Sequence, residues 1–226
     1  MTMAGPVMFA MMTQTALNVV DEMMVGRLPR EESIPGQASL GYSLILLWAL
    51  GGFLSSVQVG TQAITARRFG EKALERAGQA LSNSLLISFS SGIAVSLLAA
   101  YFIDDLFPYF DENERVVAVG TPYARYRMLG ILSMVATASY KAFFDGIGKT
   151  HVHLIAAVVM NVVNAPLNYV LIFGEFGFPQ MGVAGAGLGS LISTYIGLAV
   201  MMGWSGLPRY GRLYRYYRLA NLSRKV

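Results

Sequence analysis

The sequence predicts an all-α membrane protein, six transmembrane helices packed as one lobe. Composition, the lengths of its charge-free runs and the placement of its basic residues carry that prediction. Hydrophobic residues make up 54% of the chain and charged residues 13%, with a mean hydropathy of +0.50, too apolar for a surface that faces water. Crossing about 30 Å of hydrocarbon takes roughly 20 residues of helix, so 226 residues hold six spans and short loops and leave no soluble catalytic domain. The absence of cysteine removes disulfides, iron-sulfur clusters and thiolate zinc. The formal charge of +4 sits in loops, where membrane topology explains it better than nucleic-acid binding does.

The elements follow in order from the charge map. Residues 1–20, 33–66, 77–103, 150–174 and 176–208 carry no Asp, Glu, Lys or Arg, and each run exceeds the roughly 18 residues that a membrane helix needs. They place spans at about 5–25, 40–64, 80–103, 152–174 and 183–204. The first run lacks a basic leader and a small-residue cleavage site and ends in Asp21 and Glu22, so it reads as a retained helix. Only 13 uncharged residues separate Arg127 from Lys141. A fourth span at 123–144 must therefore take in flanking charge, with Arg125 and Arg127 expected to snorkel outward.

Loop charge requires that span. Arg67, Arg68, Lys72 and Arg76 lie in one loop, and Arg209, Arg212, Arg215, Arg218, Arg224 and Lys225 lie in the segment 209–226. Both clusters belong on the cytoplasmic side, which demands an even number of crossings between them. Six spans with both ends inside put 12 Lys and Arg in the cytoplasm against five outside. Residues 209–226 then read as a basic cytoplasmic tail that lies along the anionic inner leaflet.

Asp21 stands late in the first span. An acid in low dielectric commonly marks an ion pathway, but an acid at the outer end of a helix fits the spacing equally well. Glu22 points about 100° away, so at most one of the two faces a given cavity. The fifth span carries Asn161, Asn164 and Asn168 at spacings of three and four, with Pro166 between the last two. The amides share one face, and the proline frees a backbone carbonyl. The amides or a bound ion can use that carbonyl, and helix-to-helix hydrogen bonding is the lesser of the two readings of such a face. Gln14, two turns before Asp21, is placed to line the same cavity. Gly185, Gly189, Ser193 and Gly197 form a small-residue groove along the sixth span, read as packing within the lobe.

Other patterns carry no chemistry. Gly148-Lys149-Thr150 ends like a phosphate loop, but Phe143 holds the place of its first glycine and no strand precedes it. His151 and His153 point to different faces of a helix start, which makes a metal site a poor reading. No converging acid, base and nucleophile is visible, so no enzyme activity and no cofactor are expected. Asn221-Leu222-Ser223 matches a glycosylation sequon in the tail expected to be cytoplasmic.

At these residues the sequence resembles the multidrug and toxic compound extrusion (MATE) family along nearly its whole length. Pro6, followed by Val20-Asp21 and Val25-Gly26-Arg27, is similar to the family's first-helix signature. Gly60, Ala66, Arg67 and Gly70 match the loop after the second helix, and Asp145 to Thr150 match the segment after the fourth, with Asp145 where arginine is usual. Asn164-Ala165-Pro166-Leu167-Asn168 through Gly174 resembles the fifth-helix signature, and Gly182 to Ser190 the glycine-rich start of the sixth.

The resemblance implies a secondary antiporter, built from two six-helix lobes, that exports lipophilic or cationic compounds in exchange for H+ or Na+. It implies that Asp21 is the coupling acid and the place for any Na+, with Asn164 and Asn168 beside it. Asn168 stands where some members carry a second aspartate. Gln14, Asn161 and Ser190 are expected in the substrate cavity, and Pro6 and Pro166 at hinges. It further implies a multi-pass protein of the cell inner membrane, with lipid, small substrates, and a second six-helix lobe or a second copy as partners. The rival readings are a non-transporting truncated or assembly subunit and a lipid-linked sugar flippase of the same superfamily. The charge-free spans argue against the flippase, which needs intramembrane basic residues for a pyrophosphate.

Overall fold

The computed structural model describes Thr15 and residues 18–217. The described part of the first helix, α1, covers 18–25. It is followed by α2 (Arg30–Leu47), α3 (Val57–Gly70), α4 (Leu74–Leu106), α5 (Glu114–Leu129), α6 (Ile131–Gly146), α7 (His151–Phe173), α8 (Gly182–Gly206) and α9 (Pro208–Tyr214). By length and composition, Leu74–Tyr109, His151–Phe173 and Gly182–Gly206 can each cross a membrane, and Arg30–Gly52 with Val57–Gly70, bent by 44°, forms a fourth candidate.

Local sequence explains where the long arms break. α2 runs through Pro35 and then loosens into a π turn at Trp48–Gly52, where the adjacent Gly51 and Gly52 remove the side chains that stiffen a helix. This arm begins earlier and ends later than the expected 40–64, because the helix continues beyond the apolar run. The fourth arm is two helices, α5 and α6, that meet at Gly130, whose N–H still bonds to Tyr126 O and Arg127 O. Its charge is handled asymmetrically. Arg125 stays at the surface and pairs with Asp104. Arg127, expected to snorkel outward, instead turns into the bundle at 8% exposure and lies over the Tyr123 ring. α5 packs on α8 along this stretch, with Tyr123 against Gly187 and Tyr195 OH donating to Leu129 O.

Helices pack as α7 on α8, α4 on α6, α2 on α5, α5 on α8 and α3 on α6. Small residues permit the closest approaches. A Cβ at Gly185 would lie 2.6 Å from the Leu171 backbone, and one at Gly120 would lie 2.4 Å from Ser39 Oγ. The Gly185, Gly189, Ser193 and Gly197 groove thus seats α7, as intra-lobe packing predicts. Buried hydroxyls join α3, α4 and α6: Thr61 Oγ1 donates to Ser84 Oγ (2.8 Å), Ser84 Oγ to Ser139 Oγ (2.7 Å), and Ser88 Oγ meets Ser139 Oγ at 2.7 Å. Each satisfies a polar group that lipid could not.

The described part of the tail divides by chemistry. Tyr210, Tyr214 and Tyr216 are buried against Phe143 and Phe144. Arg209, Arg212 and Arg215 remain exposed. The segment is therefore docked on the bundle by its aromatic face, with its basic face outward.

Candidate functional site

The chain turns sharply after α1. Gly26 N–H bonds to Glu22 O, and Ser33 Oγ of α2 donates to Gly26 O at 3.3 Å. One turn beyond Asp21, Val25 is fully buried with Tyr123, Ile172, Val183 and Ala186. A Cβ at Gly36 would lie 2.7 Å from Val183 Cγ2 and 2.8 Å from Val25 Cγ1, so α1, α2 and α8 are in close contact there. This wedge fixes the depth and rotation of α1 and aims Asp21 at α7 and α8.

Asp21 is 1% exposed, whereas Glu22 is exposed. Of the two acids the interior takes the one that finds donors. Asn168 Nδ2 donates to Asp21 Oδ1, and Ser190 Oγ donates to Asp21 Oδ2 at 2.6 Å. Behind them Asn168 Nδ2 reaches Asn164 Oδ1 at 3.2 Å, and Asn164 Nδ2 stands 3.3 Å from Ser193 Oγ and 3.4 Å from Ser190 Oγ. Ser193 Oγ closes the group by donating to Ser190 O at 3.1 Å. Asn164, Asn168, Ser190 and Ser193 are each 1% exposed or less.

This cluster depends on a missing side chain. A Cβ at Gly189 would lie 2.0 Å from Asn168 Oδ1, so the amide reaches Asp21 only because that position is glycine. α7 passes through Pro166 without interruption and ends at Gly174, whose left-handed φ of 75° suits glycine.

Asp21, Asn164, Asn168 and Ser190 are brought together. Asn161 is not: its side chain donates to Ala157 O at 2.8 Å and stays half-buried on its own helix. It shares the face of Asn164 and Asn168 but lies about one turn before Asn164 and two turns before Asn168, the residue that reaches Asp21. Pro6 and Gln14 lie outside the described residues. Sequence reasoning missed Tyr123 and Arg127 as interior groups. The signal was present, since an arginine within an apolar span is by itself a reason to look for an inward partner.

Chemically the site is a carboxylate held by an amide N–H and a hydroxyl O–H, with the amide and hydroxyl oxygens of the cluster next to it. These are hard donors suited to a proton or a small cation and poorly suited to soft metals. Three helices distant in sequence each contribute, so occupancy of the carboxylate and the spacing of α1, α7 and α8 are mechanically linked.

Comparison with known proteins agrees with this architecture. The MatE family model matches residues 6–170. The chain is 26% identical over 197 residues to the probable multidrug resistance protein YoeA of Bacillus subtilis, covering 87% of this chain and 42% of that protein. It is 28% identical over 197 residues to the probable multidrug resistance protein NorM of Bacillus licheniformis, covering 86% and 42%. Among solved structures it superposes with a TM-score of 0.82 at 25% identity on a MOP superfamily transporter from Pyrococcus furiosus, over 96% of this chain and 46% of that one. With MATE in complex with MaL6 the TM-score is 0.83 at 26% identity, over the same shares. The chain thus spans a little under half the length of the relatives it matches. A family model matched over most of the chain, and a lobe superposed along nearly all of it, place this protein in the MatE family of membrane transporters.

Proposed function

We propose that this lobe belongs to a secondary antiporter that exports lipophilic or cationic compounds in exchange for H+ or Na+, with Asp21 as the coupling residue. The observation that carries the reading is the interior Asp21 carboxylate, held by Asn168 of α7 and Ser190 of α8. A cation taken up there neutralises an acid that is 1% exposed and has no ion-pair partner among the described residues, and competes with those two donors for its oxygens. The lobe's helices then repack, and a bound cationic substrate is displaced. An inward ion gradient suffices as a driving force, because each charge moved gains about 2.3 kcal/mol per 100 mV.

In this reading the chain crosses the cell inner membrane six times with both ends in the cytoplasm. The basic face of the 209–226 segment lies against the inner leaflet, and Pro6 and Pro166 serve as hinges. Alternating access needs two bodies that move against each other. The second is a further six-helix lobe, in agreement with the share of its relatives that this chain spans.

The test is gradient-driven efflux of a cationic dye from vesicles that contain this lobe and its partner lobe. Asp21→Asn is expected to abolish the dependence on the ion gradient. Equal gradient-driven rates in the two proteins would overturn the assignment.

A further inference from the structure

We propose that Arg127 is a built-in counter-cation of the Asp21 site, a fixed positive charge inside the lobe that weakens cation binding at Asp21 and so favours release at each turnover. The inference rests on reading Asp21 as the cation site.

Asp21 and Arg127 are both buried charged residues, at 1% and 8% exposure, and unlike Asp145, which pairs with Lys141, neither has an ion-pair partner among the described residues. Arg127 is unusual for what it lacks. Its Nε is buried without a hydrogen-bond partner, and among the described residues the guanidinium forms no ion pair. Its one specific contact is the Tyr123 ring, 5.9 Å from Cζ to the centroid. Both oxygens of the obvious partner, Asp21, are occupied by neutral donors, Asn168 and Ser190.

The packing of α5 on α8 sets the level of this charge. A Cβ at Gly187 would lie 3.0 Å from Tyr123 O, and farther along both helices Tyr195 OH donates to Leu129 O at 3.1 Å. The two helices therefore run parallel. Arg127, one turn beyond Tyr123, comes level with the turn of α8 that follows Gly187 and carries Ser190, the donor to Asp21. Tyr123, over whose ring Arg127 lies, is buried in one cluster with Val25, one turn beyond Asp21, so the two charges share one region of the interior without a hydrogen bond or ion pair between them.

The consequence is electrostatic. A guanidinium is a fixed positive charge, so the Asp21 and Arg127 side chains together sum to zero when Asp21 is ionised and to one positive charge once a cation binds. Without Arg127, a buried carboxylate ringed by oxygen donors would hold a cation tightly and surrender it slowly. At effective interior dielectrics of about 20, one unit charge within about 12 Å changes the affinity of a second by about tenfold or more. The cation–π contact with Tyr123 stabilises the guanidinium where no carboxylate does.

The experiment is equilibrium binding of radioactive Na+ to the full chain in lipid nanodiscs. Arg127→Met is expected to tighten Na+ binding about tenfold or more, and Arg127→Lys, which keeps the charge, to stay within about threefold of wild type. In an Asp21→Asn background Arg127→Met is expected to gain nothing. If wild type binds too weakly to detect, Arg127→Met is expected to bring binding into range. Should Arg127→Met unfold, Arg127→Gln removes the same charge while keeping a planar polar head. Unchanged or weaker binding in the folded neutral variants, no Na+ binding in any variant, or the same gain without Asp21 would overturn the proposal. Wild-type Na+ affinity in Asp21→Asn alone would instead overturn the reading of Asp21.

Discussion

Ser190 supplies one of the two hydrogen bonds to Asp21, and its removal isolates the contribution of that bond. Ser190→Ala leaves Oδ2 buried without a donor, a loss that costs about 1–3 kcal/mol when the acceptor cannot reach water. Unfolding in detergent at neutral pH is expected to show a destabilisation of that size. Restoring a hydroxyl with Ser190→Thr should recover part of it. Asn168 is coupled to the same oxygens, so Ser190→Ala combined with Asn168→Ala is expected to be non-additive, as groups in one network are. Two side chains of this cluster were legible in the sequence because they share a helix face: spacings of three and four place Asn164 and Asn168 together on α7. The same spacing also pointed to Asn161. Periodicity gives the direction of a side chain around its helix, but not the depth at which a neighbouring helix brings an acid.

At the scale of the element, the α7 and α8 pair is a zipper of small residues with an amide set into it. Gly189→Ala puts a methyl 2.0 Å from Asn168 Oδ1 and must move the amide or the helix. Overpacking of this kind costs about 1–3 kcal/mol. Gly203, on the same helix, has no atom within 4 Å of its would-be Cβ, and Ala there is expected to be neutral or stabilising by about 0.5–1 kcal/mol, the helix-propensity gain. Thermal unfolding of the two variants should therefore move in opposite directions. Only Gly189→Ala should also weaken Na+ binding, because only it displaces a group in the site. The tail makes a complementary point. Its alternating tyrosines and arginines fit a segment lying on the leaflet, and its basic face keeps that role open. The tyrosines went inward because Phe143 and Phe144 at the end of α6 offer an apolar seat that a charge count along the chain does not register.

At the scale of the whole molecule, the chain spans a little under half the length of its relatives, and the proposed exchange by alternating access needs two bodies. The chain alone, reconstituted at a dilution where copies do not meet, is expected to bind cations at Asp21 and to show no gradient-driven dye efflux. Adding a partner lobe should restore efflux without changing the affinity at Asp21. Efflux by the isolated chain, with crosslinking showing a monomer, would contradict this division of labour.

Composition, the charge-free runs and the basic loops determined by themselves that this is a helical membrane bundle, because lipid tolerates little charge and demands internally bonded backbone. They left Asp21 an even choice between an ion-pathway acid and an interfacial one, and the family resemblance pointed to the first. Only the tertiary structure decided what that acid meets. It pairs Asp21 with Asn168, 147 positions away, and with Ser190, 169 positions away. It also brings Arg127 inward when its position in the chain pointed outward. The reason is that sequence periodicity orients side chains about a single axis. Which axes meet, and at what height, is set by small residues such as Gly36, Gly187 and Gly189, whose effect exists only once the helices touch.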